Sequence, residues 1–189
     1  DNTLIIFSSD NGAPPPGDNT PLRDFKATVY EGGIKSASFV NWPGHVPAGL
    51  SITEPTHIVD WYPTLIHLAG GKINQPSTID GKDVWPMITQ NKKSPHDAIL
   101  TVSTRGPVIS AIRMDHWKLI LLNTDSSTQK NKAFSKYELI ALFNLLDDPS
   151  ETNNLANKYP ERVEIMRKRL TEMLKDAVSS GTKGPEDEL

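Results

Sequence analysis

The chain has 189 residues, enough for one domain or one and a half, and its 37% hydrophobic and 23% charged residues are ordinary for a soluble globular protein. A net charge of −3 gives no electrostatic case for a nucleic-acid partner, and no apolar run approaches the about twenty residues that cross a bilayer. Cysteine is absent, which excludes a disulfide, a thiolate nucleophile or a cysteine–zinc site within this chain.

Thr3 to Ser8 reads as a first strand. Its run Leu4-Ile5-Ile6-Phe7 has no polar break, the pattern of a strand covered on both faces in a parallel sheet. Such a strand needs neighbours, and none precedes it, so the chain is expected to be the C-terminal part of a larger protein. Asp10, Asn11 and Gly12 follow at the carboxyl end of the strand, where open α/β sheets bind ligands. A carboxylate beside a carboxamide offers two hard oxygens, suited to calcium or magnesium. Asp-Asn-Gly is also ordinary turn chemistry.

Ala13 to Pro21 is a loop, because Pro14-Pro15-Pro16-Gly17 can neither continue a helix nor donate to a ladder. Ala37 to Trp42 reads as a second strand closed by Pro43-Gly44, and His45 to Thr56 as a connection. Asp60 is placed to cap a helix whose first turn holds Pro63. Trp61, Leu65 and Leu68 form one apolar stripe and Tyr62, Ile66 and Ala69 another, so this helix is expected to be largely buried, with Gly70-Gly71 ending it. Lys72 to Asp97 is polar and reads as a surface connection containing a domain boundary.

Ala98 to Ser103, Val108 to Met114 and Trp117 to Leu122 read as strands, the last two joined by a tight hairpin at Asp115-His116. Asn123 to Ser135 is a hydrophilic loop and Tyr137 to Asn144 a further strand. Pro160 opens a final helix, with Val163, Met166, Leu170, Met173 and Ala177 at helical spacing and a Glu164–Lys168 pair on the outside. The second half is thus a small antiparallel sheet with a helix on one face. The tail from Gly184 to Leu189 is expected to be disordered. Its Asp-Glu-Leu ending departs from a retention signal at Glu186.

Other chemistry-bearing signals are weaker. The five histidines show no His-Glu-x-x-His spacing, and His57 and His67, flanking the buried helix, read as packing residues. Glu31-Gly32-Gly33 lacks the P-loop Lys-Ser/Thr and reads as a structural turn. Arg105-Gly106-Pro107 suits a hairpin loop or a contact to an anionic substrate. Trp61, Trp85 and Trp117 read as packing anchors. Asp147 to Glu151 lacks EF-hand ligand spacing and reads as a turn before a helix.

A series of motifs in order resembles the sulfatase family, most closely its arylsulfatase B-like branch. It comprises Ser9-Asp10-Asn11-Gly12, Thr20-Pro21-Leu22-Arg23-Asp24-Phe25-Lys26 running on to Tyr30-Glu31-Gly32-Gly33-Ile34-Lys35, and Asp60-Trp61-Tyr62-Pro63-Thr64-Leu65. It continues with Asp80-Gly81-Lys82-Asp83-Val84-Trp85, Ala111-Ile112-Arg113, Trp117-Lys118-Leu119-Ile120, Asp148-Pro149-Ser150-Glu151 and Asn154-Leu155-Ala156. Together these cover nearly the whole chain.

The resemblance implies an α/β fold. Residues 1–90 would be the C-terminal part of an alkaline phosphatase-like α/β catalytic domain, 91–180 a small α+β subdomain and 181–189 a polar tail. It implies a sulfuric ester hydrolase acting on an aryl or carbohydrate sulfate, possibly a glycosaminoglycan N-acetylgalactosamine sulfate, with formylglycine and a calcium ion. By motif position Asp10 and Asn11 match metal ligands and Lys26 the sulfate-contacting lysine. An amide oxygen at Asn11, where phosphoesterase relatives tend to carry a zinc-binding histidine, favours sulfatase over phosphoester or phosphonate hydrolase. A catalytically dead relative that binds anionic sugars is the non-enzymatic alternative.

No Cys-x-Pro-x-Arg or Ser-x-Pro-x-Arg segment occurs, so the formylglycine, the early aspartates and the active-site histidines are expected upstream, in a missing N-terminal half. This chain alone is then expected to be inactive. Ala13, Pro14 to Pro16 and Asp24-Phe25 depart from the family pattern on the substrate side. Kinship implies a lysosomal or secreted enzyme, periplasmic if bacterial, with no nucleic-acid partner and no membrane span.

Overall fold

A computed structural model describes residues 2–75, 78–103, 108–123 and 137–179. In chain order the elements are β1 (Ile5–Ser8), α1 (Glu31–Ile34), β2 (Ser38–Asn41), α2 (Trp61–Leu68) and α3 (Trp85–Gln90). They continue with β3 (Ile99–Ser103), β4 (Ile109–Met114), β5 (Trp117–Asn123), β6 (Tyr137–Asn144) and α4 (Pro160–Ser179). They fall into two compact units that interleave along the chain: Asp1–Asp10 with Ser36–Ile99, and Asn11–Lys35 with Leu100–Leu189.

In the first unit β1 pairs with β2, and the pairing is antiparallel, Ile5 opposite Asn41 and Ser8 opposite Ser38. The expected parallel, doubly covered strand is therefore corrected. Ile5, Phe7 and Phe39 are each at least half exposed, with the two phenylalanine rings stacked at 5.1 Å. An apolar run reports that both faces are apolar; it carries no information on the direction of the neighbouring strand. The turn Ile58–Asp60 leads into α2, and Pro63 is buried in its first turn. The helix ends as a Schellman motif: Gly70 at φ 69° donates to His67 O at 2.9 Å, and Gly71 N–H to Ile66 O at 2.9 Å.

Asp60 was expected to cap α2, but its side chain does not. It is 1% exposed and gathers three donors: His57 N–H at 2.7 Å, Lys82 N–H at 2.9 Å and the His96 ring at 2.8 Å. A buried carboxylate is tolerable only when its oxygens are paired in this way. His96 is thus the packed histidine, whereas His57 is exposed and His67 sits at the surface against Asp83. That reverses the expectation that His57 and His67 pack. Lys72 to Asp97 is more than a surface connection. It contains α3, whose Met87 and Ile88 form a buried cluster with Val84, against which Val46, Ile52 and Trp61 pack. Trp42 and Trp85 meet at 5.9 Å in the same unit.

The second unit is a four-stranded sheet in the order β3-β4-β5-β6. β4 and β5 form the expected hairpin, Met114 opposite Trp117, with Asp115 at φ 55° in its turn. β5 and β6 are antiparallel, with a register shift at Ile120/Leu121. Ile112, Leu119, Ile120, Leu121 and Leu142 are all fully buried. α4 packs against β4 and β5 through Val163, Met166, Leu170 and Leu174. Its inner stripe runs through Leu174 rather than the expected Met173. Trp117 meets Tyr159 edge-on at 5.1 Å, under the Arg162 guanidinium at 4.5 Å. Asp148 closes a turn by accepting from the N–H groups of Thr152 and Asn153, each at 2.8 Å. This is the structural role expected there. Arg105-Gly106-Pro107, Ala177 as a packing side chain and the tail lie outside the described residues.

Replacing Asp60 with Ala removes the acceptor of two part-buried backbone N–H groups and of the His96 ring, and is expected to cost about 3 kcal/mol. Urea unfolding monitored at the tryptophans of the first unit checks it; Asp60→Asn, which keeps one oxygen acceptor, is expected to lose less.

Candidate active site

The segment that carries Asn11 and Lys26 is a loop of the second unit, folded back on itself between Asn11 and Lys35. Asp10 closes the first unit, one residue beyond the Ser9 N–H that donates to Ala37 O at 2.9 Å. Asp10 is exposed, and Asn11 and Lys26 are half-buried. After Asn11 the backbone runs hard against α1: Gly12 N–H donates to Gly33 O at 3.0 Å. A Cβ on Gly12 would collide with the carbonyl of Gly32, so close approach makes glycine obligatory there.

The Lys26 turn is tied down from several sides. Lys26 N–H donates to Ala13 O at 3.2 Å, two residues beyond Asn11. The Asn19 carboxamide accepts from Ala13 N–H at 2.8 Å and donates to Ala13 O at 2.9 Å and to Asp24 O at 3.1 Å. The Ser103 hydroxyl donates to Ala27 O at 2.9 Å, and Thr28 Oγ1 to Phe25 O at 2.9 Å. Asp24 and Ala27, which bracket the lysine, both adopt left-handed backbone, at φ 70° and 78°. For alanine that conformation is unfavourable and persists only where the surroundings enforce it.

Beneath this loop lies a buried ion cluster. Lys118 Nζ on β5 lies 3.0 Å from Glu31 Oε1 and 2.8 Å from Glu151 Oε1. Lys118 and Glu151 are at most 1% exposed and Glu31 is 5% exposed. Glu151 Oε2 also accepts from Glu31 N–H at 2.6 Å, and its carbonyl accepts from Arg23 at 3.0 Å. The Arg23 guanidinium lies 4.0 Å over the Tyr30 ring. One cation thus serves two carboxylates. Burial pushes the Glu151 carboxyl above its ordinary value; Lys118 and the Glu31 N–H oppose that rise, and the Glu31 charge adds to it.

With this geometry in place, the comparisons decide the family. The family described as N-sulphoglucosamine sulphohydrolase, C-terminal, matches residues 24–179. The chain belongs to the sulfatase family. Arylsulfatase J of Mus musculus is 37% identical over 94% of this chain and 36% of its own length. Arylsulfatase A of Homo sapiens is 29% identical over 87% of this chain and 36% of its own. The crystal structure of Ps i-CgsB in complex with k-i-k-neocarrahexaose superposes with a TM-score of 0.77 at 31% identity, covering 92% of this chain and 37% of that one. The chain therefore spans about a third of the length of these sulfatases. The expected α/β fold stands, built here of two small antiparallel sheets and a C-terminal helix.

Among the described residues of this sulfatase chain no group of three or more His, Cys, Asp or Glu side chains could hold a metal ion. Asp10 and Asn11 contribute a carboxylate and a carboxamide, a donor pair whose hard oxygens fit calcium and not a soft metal. The loop also contains what the motif reading missed. Glu31, assigned to a plain turn, is one of the three charges of the buried ion cluster; Lys118 within an otherwise apolar strand was the available signal. Asn19, inside a proline-rich loop, left no pattern to find.

Replacing Lys118 with Met leaves two buried carboxylates without a cation and is expected to destabilise the second unit by about 3–5 kcal/mol, read by chemical denaturation. The pH response follows from Glu151. Its folded pKa lies above the ordinary 4.5, so its stabilising contribution is full below that value and is lost as pH rises through the folded pKa. Unfolding free energy measured from pH 4 upward is expected to show this loss, and Glu151→Gln to remove that part of the slope.

Proposed function

We propose that this chain is the C-terminal part of a sulfatase that hydrolyses the sulfate ester of an aryl or carbohydrate substrate, the carbohydrate case being a glycosaminoglycan N-acetylgalactosamine sulfate. The observation that carries the reading is the family match from residue 24 to 179, which takes in Lys26 and the whole Glu31 to Glu151 anchor. On this reading residues 1–90 end the α/β catalytic domain and 91–180 form a small C-terminal subdomain.

Asp10 and Asn11 would hold a calcium ion through their side-chain oxygens. A bound divalent cation polarises the sulfuryl oxygens as a Lewis acid. Lys26 presents a compact ammonium to the sulfate and to the negative charge that grows on the leaving oxygen. Its value depends on being fixed before the reaction, which the bonds around its loop support. The chain has neither a Cys-x-Pro-x-Arg nor a Ser-x-Pro-x-Arg segment, so the formylglycine of such an enzyme would lie outside these residues, in a preceding part of a longer protein. Two apolar surfaces of the first unit support such a preceding part. One is formed by Ile5, Phe7 and Phe39, the other by Ile58, Tyr62 and Leu65, and all six are exposed. Exposed apolar clusters of this kind mark contact surfaces. On this reading the arylsulfatase kinship supports a longer enzyme that is lysosomal or secreted, or periplasmic in a bacterium. No helix among the described residues is long and apolar enough to cross a membrane.

The test uses the longer protein that contains this chain. Lys26→Ala is expected to lower kcat for an aryl sulfate by about 10²- to 10³-fold; an unchanged rate overturns the assignment. Metal analysis of the same protein is expected to find calcium lost in Asp10→Ala and Asn11→Ala, whereas stoichiometric zinc favours a phosphoester hydrolase. This chain alone is expected to release no sulfate.

A further inference from the structure

We propose that Asn19 is a positioning residue for Lys26, a clamp that joins the chain two residues after Asn11 to the chain two residues before Lys26. The inference rests on the proposed role of Lys26. Three bonds define the clamp. Asn19 Oδ1 accepts from Ala13 N–H, and the two hydrogens of Nδ2 go to the carbonyls of Ala13 and Asp24. A carboxamide supplies one acceptor and two donors from the end of a short stem. Aspartate at position 19 has the acceptor and no donors, so it would set an oxygen against two carbonyls. Serine is too short to reach both strands, and glutamine carries an extra methylene.

The surrounding chain gives this clamp something to restrain. The segment between the clamped points holds Pro14, Pro15, Pro16, Gly17 and Pro21, none of which forms a ladder that would bring its ends together. One direct link between the two arms is the Lys26 N–H bond to Ala13 O, long at 3.2 Å, and it uses a carbonyl that Asn19 also holds. Asp24, whose carbonyl Asn19 grips, is left-handed at φ 70°, and so is Ala27 at φ 78°. An arm held in unfavourable backbone relaxes when its restraint goes, and the two residues between the left-handed positions, Phe25 and Lys26, swing with it. Displacements of about 1 Å at a charge-stabilising group cost up to about 10²-fold in rate.

The experiment has two arms. Amide hydrogen exchange on this chain is expected to show the Lys26 amide exchanging at least about tenfold faster in Asn19→Ala, with Ile120 and Leu142 in the four-stranded sheet unchanged. Equal acceleration at all three would make Asn19 a general stabiliser and overturn the proposal. In the longer enzyme Asn19→Ala and Asn19→Asp are expected to lower kcat by about 10- to 100-fold at similar KM. On a Lys26→Ala background the Asn19→Ala change is expected to add nothing, because a residue acting through Lys26 has nothing left to position. Additive losses, or an unchanged rate for Asn19→Ala alone, overturn the clamp. If Lys26→Ala itself leaves the rate unchanged, the role of Lys26 fails, and the exchange arm still shows whether Asn19 holds the loop.

Discussion

The second unit depends on one buried lysine. Lys118 enters from β5, an inner strand of the sheet, and meets Glu31 and Glu151, residues 120 positions apart. Taking three charges out of water is costly, and replacement by apolar side chains of the same volume is often neutral or better for stability. The cluster does what an apolar contact could not. An apolar side chain can slide over its neighbours, whereas an ammonium between two carboxylates, one of them also bonded to a specific N–H, accepts one register. The result is that Gly32 and Gly33 lie where Gly12 can pass against them, and the loop from Asn11 to Lys35 becomes part of the C-terminal sheet's unit.

The proposed chemistry needs this rigidity. A cation that stabilises developing charge is effective in proportion to how little it must reorganise. The loop around Lys26 has almost no regular secondary structure. Its order comes instead from side chains that grip backbone: Asn19, Ser103, Thr28 and Arg23. Three of these, Asn19, Arg23 and Thr28, lie on the loop itself, and Ser103 reaches in from β3. The ion cluster fixes the base of the loop and the side-chain bonds fix its tip.

Much of the architecture could be read in advance, because periodicity and turn chemistry are local. The hairpin at Asp115-His116, the Schellman end at Gly70-Gly71 and the inner face of α4 all follow from patterns within about a dozen residues. What was misread depends on partners distant in the chain. β1 is apolar enough for a doubly covered parallel strand, yet its described neighbour runs antiparallel, since composition is blind to strand direction. Asp60 looked like a helix cap, but its donors come from His57, Lys82 and His96. His57 and His67 were nearer the buried helix in sequence, while His96 reaches Asp60 in space. Of the candidate site, Asp10, Asn11 and Lys26 were named from motif position. Asn19, Glu31 and Lys118 became visible only when the loop was seen folded onto the sheet.

The interleaving of the two units has a consequence for the order of events at the ribosome. Glu31 leaves the exit tunnel long before Glu151 is made; at roughly 5–20 residues per second the delay is about 6–24 s for a separation of 120 positions. Throughout that interval the ion cluster lacks one of its two carboxylates, and the stretch bearing Lys26 lacks its full anchor. Asp60, meanwhile, has its donors His57, Lys82 and His96 as soon as residue 96 is made. The loop around Lys26 is thus translated well before the residue that completes its anchor, and a ribosome that stops short of Glu151 releases a product in which that loop has never been held in place.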